Sequence, residues 1–157
     1  MIKSLFFIVK DMDFTLKHFA ELSNTELYEI LKTRQEVFVV EQNCPYMDID
    51  DADKDALHVF SWNDSGRINA YLRVFYKDEA SGIVQIGRVV TLDRGIGLGG
   101  QILHKGVEIA LDQFKAKKIY LEAQTYAIGF YAREGFKVVS EPFLEDGIPH
   151  VKMERIT

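Results

Sequence analysis

A predicted strand that ends in Arg94-Gly95-Ile96-Gly97-Leu98-Gly99-Gly100 and runs into an amphipathic helix constrains this chain more than any other feature. Four of the six residues from Gly95 to Gly100 are glycine. Residues without a Cβ adopt left-handed backbone angles and let a bound group approach the main chain. Ile102, Leu103, Val107, Ala110, Leu111 and Phe114 then recur at helical spacing, with His104, Lys105, Glu108 and Asp112 on the polar side. A helix start carries four unpaired N–H groups and about half a positive charge. Such a segment suits phosphate, and Arg94 adds a forked donor for the same anion. The plain alternative is a tight strand-to-helix turn that holds nothing.

Two phosphate-binding patterns fit poorly. No Gly-Lys-Ser/Thr follows, so this is not a Walker A loop. Gly95, Gly97 and Gly100 do satisfy G-x-G-x-x-G, and Glu122 stands where a dinucleotide fold puts its ribose carboxylate. That would make the chain a nicotinamide oxidoreductase. However, three antiparallel-looking strands come first, and too few residues follow for the repeated parallel units of that fold.

Those strands are read from local pattern. Phe14 to Phe19 alternates as a strand does. Ser23-x-x-Glu26 is a capping box that opens a helix through Leu27, Ile30, Leu31, Arg34 and Phe38. Val37 to Val40 fits a strand equally well. His58–Trp62 and Ile68–Tyr76 flank Asn63-Asp64-Ser65-Gly66 as a hairpin, and Val84–Thr91 gives a third strand. Beyond the glycine loop and its helix come a strand at Lys118–Gln124 and a short helix from Ala127 to Glu134, closed by Gly135. Two last strands, Lys137–Glu141 and Val151–Arg155, are joined by Glu145–His150. The order predicts an α/β mixed sheet with helices on its faces.

Composition narrows the function classes. The 157 residues carry 19 Lys+Arg and 24 Asp+Glu, a net charge of −5, which argues against a nucleic-acid binder. A single cysteine, Cys44, excludes a disulfide framework and a cysteine zinc cluster. No apolar run approaches the roughly 20 residues that span a bilayer. One domain over residues 12–157 is expected in a cytoplasmic protein. Residues 1–11 form an extension, either an extra strand or a segment foreign to the domain, and no signal-peptide cleavage site follows them.

Arg94-x-x-Gly97-x-Gly99, between strand and helix, resembles the pyrophosphate loop of the GNAT superfamily of N-acetyltransferases. Gln124-x-x-Ala127-x-x-Phe130-Tyr131-x-x-x-Gly135-Phe136 resembles that superfamily's next motif, with glutamine where asparagine is commoner. Val39-Val40-Glu41-Gln42-Asn43-Cys44-Pro45-Tyr46-x-Asp48-Ile49-Asp50, Ile86-Gly87-Arg88-Val89 and Glu145-Asp146-Gly147-Ile148-Pro149-His150 are similar to the ElaA-like branch. Only Leu92 and Asp93 separate Thr91 from Arg94, about two residues fewer than in those families.

The resemblance implies a mostly antiparallel GNAT-like sheet with helices on both faces, and acetyl transfer from acetyl-CoA to a small-molecule or peptide amine. Relatives of this kind often form homodimers. It places the pyrophosphate on Arg94 and the amides of Gly95, Ile96, Gly97, Leu98, Gly99 and Gly100. The pantetheine arm and thioester carbonyl fall to the backbone of Val89, Val90 and Thr91, with Gln124 and Tyr131 beside them. Tyr131 matches the acid that protonates the departing thiol, since a phenol is neutral at pH 7. A core aromatic is its bland alternative, and Tyr126 is the weaker substitute. A CoA-binding module without turnover is the other reading of the same residues.

The base is less defined. Val84–Thr91 holds Gln85 and Arg88 but no carboxylate. Glu122, on the next strand and on the face of Gln124, is the first choice; His58 and His150 are alternatives. Asp48, Asp50, Asp51, Asp53 and Asp55 form an acidic cluster expected to border the acceptor and attract a cationic amine. Asp51-x-Asp53-x-Asp55 imitates a calcium loop, but Ala56 and Trp62 stand where it needs glycine and glutamate, so no metal site is expected. Glu41, Asp50, His58 and His150 are the candidate acceptor contacts.

Overall fold

The computed structural model describes residues 13–157; the proposed extension at residues 1–11 lies outside them. Strand β1 (Thr15–His18) leads to helix α1 (Asn24–Arg34). Ser23 caps α1, its Oγ accepting from Glu26 N at 3.1 Å while Glu26 Oε1 accepts from Ser23 N at 2.8 Å. Val37–Val40 is not a strand, because the helical path continues as a π-helical segment, Gln35–Glu41. Wider winding of this kind is frequent at functional sites.

An antiparallel meander follows: β2 (Leu57–Trp62), β3 (Ile68–Asp78) and β4 (Ile83–Thr91). Helix α2 (Leu98–Asp112) crosses to β5 (Lys118–Gln124), which pairs parallel with β4. The predicted helix from Ala127 is shorter, with one 3-10 turn at Thr125–Ala127 before α3 (Ile128–Ala132). Three strands close the fold: β6 (Lys137–Val138), β7 (Phe143–Glu145) and β8 (Ile148–Ile156). The expected connection at Glu145–His150 is therefore mostly strand. Asp146 and Gly147, with φ of 48° and 78°, make the two-residue turn between β7 and β8.

The sheet order is β1-β2-β3-β4-β5-β8-β6, with β7 also on β8. Only β4 and β5 run parallel among the described strands, so a repeated parallel dinucleotide fold is ruled out. Two-residue alternation divides the core between the faces. Leu57, Val59, Leu72, Val74 and Ile86 pack with Ile102, Val107 and Ala110 of α2. On the other face Phe60, Tyr71 and Val90 pack with Ile30 and Val37. Gly106 lets α2 sit close, since a Cβ there would lie 2.9 Å from Leu72 Cδ2.

Candidate active site

The parallel pairing of β4 with β5 covers only Ile83–Gln85 against Lys118–Tyr120. Beyond it β5 stays with β8 along its whole length, while β4 stays with β3. The two strands diverge and leave a cleft of about 320 Å³ lined by Gln85, Val89, Glu122, Gln124, Tyr131 and His150, among others. A second space of about 550 Å³ shares Val89 and Gln124 with it and extends to Val90, Thr91 and Arg94. One wall of both is the π-helical segment, through Phe38 and Gln42.

At the Arg94 end the main chain provides the chemistry. Gly97 caps α2 with φ 77° and no side-chain bond, and no acidic residue occupies the first turn. Gln101 N makes the first bond of the helix, to Gly97 O at 3.2 Å. The N–H groups of Leu98, Gly99 and Gly100 thus start the helix without partners in its ladder. A Cβ at Gly95, Gly97 or Gly100 would meet nothing within 4 Å, so this side of the loop is open. The shortened connection is anchored from β3: Leu92 N donates to Asn69 O at 2.7 Å and Asn69 Nδ2 to Asp93 Oδ2 at 2.9 Å. Free amides, an open glycine loop and a guanidinium together fit a diphosphate.

Arg94 and Glu41 are brought together. Their side chains pair at 2.5 Å, which raises the arginine's pKa and lowers that of the carboxyl. Glu41 therefore stands beside Arg94 and the glycine loop. Gln124 also reaches the π-helical segment, donating to Gln42 Oε1 at 3.1 Å.

Tyr131 lies deeper. Its ring packs edge-on against Phe130 and Phe136, with centroids 5.0 and 6.3 Å away. Burial pushes its phenol well above the ordinary range, so it is a neutral proton donor at any physiological pH. Tyr126 is 81% exposed at the mouth.

Glu122 accepts from Tyr120 Oη at 2.7 Å and lines the cleft together with Glu145 and His150. His150 Nδ1 donates to Ile148 O at 2.7 Å, and its Nε2 lies 3.7 Å from Glu145 Oε2. Burial, then the nearby charge of Glu122, raises the pKa of Glu145. Sequence reasoning missed Glu145 as a site residue. The Asp-Gly turn was its signal, because that turn fixes the register that puts Glu145 beside β8.

Two expectations are corrected. His58 is buried on the α1 face, away from the cleft: Nδ1 meets Tyr71 Oη at 2.7 Å and Nε2 meets Asp53 O at 2.8 Å. A carbonyl only accepts, so Nε2 carries a proton, and burial lowers the pKa of the ring, which favours its neutral form. Nor is Asp50 available to a cationic amine. It is paired with Arg73 at 2.5 Å and with Arg88 at 3.3 Å. Asp48 and Asp53 are likewise held by Arg34, at 2.9 and 2.7 Å, and Asp53 also by Arg73 at 2.8 Å. Three arginines neutralise the three carboxylates that face inward.

The model of the acetyltransferase (GNAT) domain matches residues 19–157. Protein ElaA of Escherichia coli K12 is 42% identical over 142 residues, which cover 88% of this chain and 92% of that protein. The crystal structure of an acyl-CoA N-acyltransferase from Pseudomonas aeruginosa superposes with a TM-score of 0.84 at 42% identity, covering 92% of this chain and 99% of that one. The crystal structure of Escherichia coli ElaA gives the same TM-score at 39% identity, covering 91% and 98%.

Proposed function

The chain belongs to the GNAT acetyltransferase family, and on that premise we propose that it moves the acetyl group of acetyl-CoA to a primary amine of a small molecule or peptide by direct attack. The observation that carries this reading is the divergence of β4 from β5 beside an uncapped helix start, with the buried phenol of Tyr131 lining the opening.

The coenzyme supplies an activated acetyl thioester; the protein does the rest. Arg94 and the amides of Gly95 to Gly100 hold the diphosphate, Arg94 sharing its guanidinium with Glu41. Main-chain groups of Val89, Val90 and Thr91 align the arm beside Gln124 and polarise the carbonyl. One N–H aimed at a developing oxyanion is worth roughly 3 kcal/mol of barrier. Tyr131 gives its proton to the leaving thiol. Glu122 takes the proton of the incoming ammonium, directly or through water, and the Glu145–His150 pair beside it is a second acceptor for that proton. The negative side chains Glu122 and Glu145 favour a cationic amine there. Such a reaction belongs in the cytoplasm, where acetyl-CoA is at hand.

Calorimetry with CoA, followed by free-thiol release from acetyl-CoA against a panel of amines, tests this. Binding heat and amine-dependent thiol are expected. Heat without thiol for any amine would leave a CoA-binding module, and no heat at all would overturn the reading.

A further inference from the structure

Four non-glycine residues among those described have positive φ, and Arg88, at 54°, is the one inside a strand. It sits in a β-bulge. Tyr71 pairs with Val90 and Arg73 with Gly87, so Leu72 of β3 faces two residues of β4, Arg88 and Val89. A bulge bends its strand and re-aims the groups that follow. Here it falls three residues beyond Gln85, where the pairing of β4 with β5 ends, and directly before Val89 and Val90.

A left-handed arginine is unfavourable without support, because its Cβ crowds the next carbonyl. The side chain supplies that support. Arg88 Nε lies 2.8 Å from Asp48 Oδ1. Its Nη2 donates to Asp48 O at 3.0 Å and to Asp50 Oδ2 at 3.3 Å, and the guanidinium lies 5.7 Å from the centre of the Tyr46 ring. Tyr46 Oη in turn donates to Asp48 Oδ1 at 2.7 Å. Asp48 and Asp50 are themselves fixed by Arg34 of α1 and Arg73 of β3. The chain of contacts therefore runs from the buried centre of the α1 face to the backbone at the cleft.

We propose that Arg88 is a positioning residue: anchored on Asp48 and Asp50, its guanidinium holds the β4 bulge in the left-handed form that turns the Val89–Val90 backbone toward the acyl group. The proposal rests on the role given above to that backbone, and it separates acyl recognition from the grip on the coenzyme at residues 94–100. Removing the side chain orphans neither carboxylate, since Asp48 keeps Arg34 and Asp50 keeps Arg73, so Arg88→Ala is expected to fold.

The test uses two unreactive thioether analogues of acetyl-CoA: S-acetonyl-CoA, which carries a carbonyl one methylene beyond the sulfur, and S-propyl-CoA, the same carbon chain without the oxygen. The wild-type protein is expected to bind the carbonyl analogue roughly fivefold more tightly, the size of one hydrogen bond. Arg88→Ala should abolish that ratio without weakening CoA itself. Arg88→Lys, which keeps the charge on Asp48 and Asp50, should keep part of it, and Arg94→Ala should weaken both analogues equally. A ratio unchanged in Arg88→Ala, equal loss of both analogues in that variant, or no ratio in the wild type would overturn the proposal while leaving coenzyme binding intact. Failure of the wild type to bind CoA would overturn the functional reading along with it.

Discussion

At residues 94–100 the protein works with its main chain: left-handed glycines, an uncapped helix start, and one half-exposed arginine shared with Glu41. Under residues 46–55 it works with side chains, where Arg34, Arg73 and Arg88 meet Asp48, Asp50 and Asp53 in a largely buried network. The backbone of the first region is set mainly by neighbours in sequence, with Glu41 and Asn69 reaching in from farther along the chain. The second joins α1, an irregular strap, β3 and β4, and exists only once the sheet has formed. The difference teaches where each kind of damage should appear: in ligand affinity for the loop, in stability and cleft geometry for the network.

The sharpest way to break the comparison is Asp53→Ala. It leaves the buried guanidinium of Arg34, 0% exposed, with one carboxylate fewer and takes the same partner from Arg73. Uncompensated buried charge of this kind costs about 3 kcal/mol, to be read from urea unfolding. A loss below 1 kcal/mol, near the value of a surface pair, would show that the network is not the keystone of the α1 face.

Tyr131→Phe probes the cleft between the two regions. Turnover should fall roughly 100-fold, the usual worth of a positioned general acid, with CoA affinity unchanged by calorimetry. Because burial raises the phenol's pKa, the wild-type rate should show no alkaline loss from Tyr131 within the ordinary phenol range. A variant that turns over normally would remove Tyr131 from the mechanism.

The smallest expected effect is a slope of stability with pH. His58 is neutral in the fold with a lowered pKa, while in the unfolded chain it titrates near 6.5. Its contribution is therefore complete above about pH 6.5 and declines as pH falls toward the folded value. Asp53 adds a limb further down. Burial opposes its ionisation, but hydrogen bonds and charge from Arg34 and Arg73 outweigh that and hold it below the ordinary carboxylate range. Its contribution is present above about pH 4 and lost as pH falls through the lowered value. Unfolding curves between pH 7 and 5 should lose their first slope in His58→Gln; an unchanged slope would contradict the neutral ring.

What could be read in the sequence follows the same division. The capping box at Ser23, the meander and the glycine loop are local patterns, and each appears where it was expected. The acidic stretch misled because its arginine partners lie 14 to 40 residues away along the chain. A run of aspartates looks solvated until Arg34, Arg73 and Arg88 are placed against it. His58 misled for a related reason: on an alternating strand, the face it occupies is decided by α1. Glu145 was missed although the turn that follows it sets the register that places it beside β8. The π-helical path of Val37–Val40 left no local mark, since β-branched residues there fit a strand as well.

Backbone amide spectra recorded while CoA is added measure the central claim most directly. The amides of Gly95 to Gly100 should show the largest shifts, with Val89 to Thr91 next and Asp51 to Asp55 silent. Shifts that spare Gly95 to Gly100, or none at saturating CoA, would contradict it.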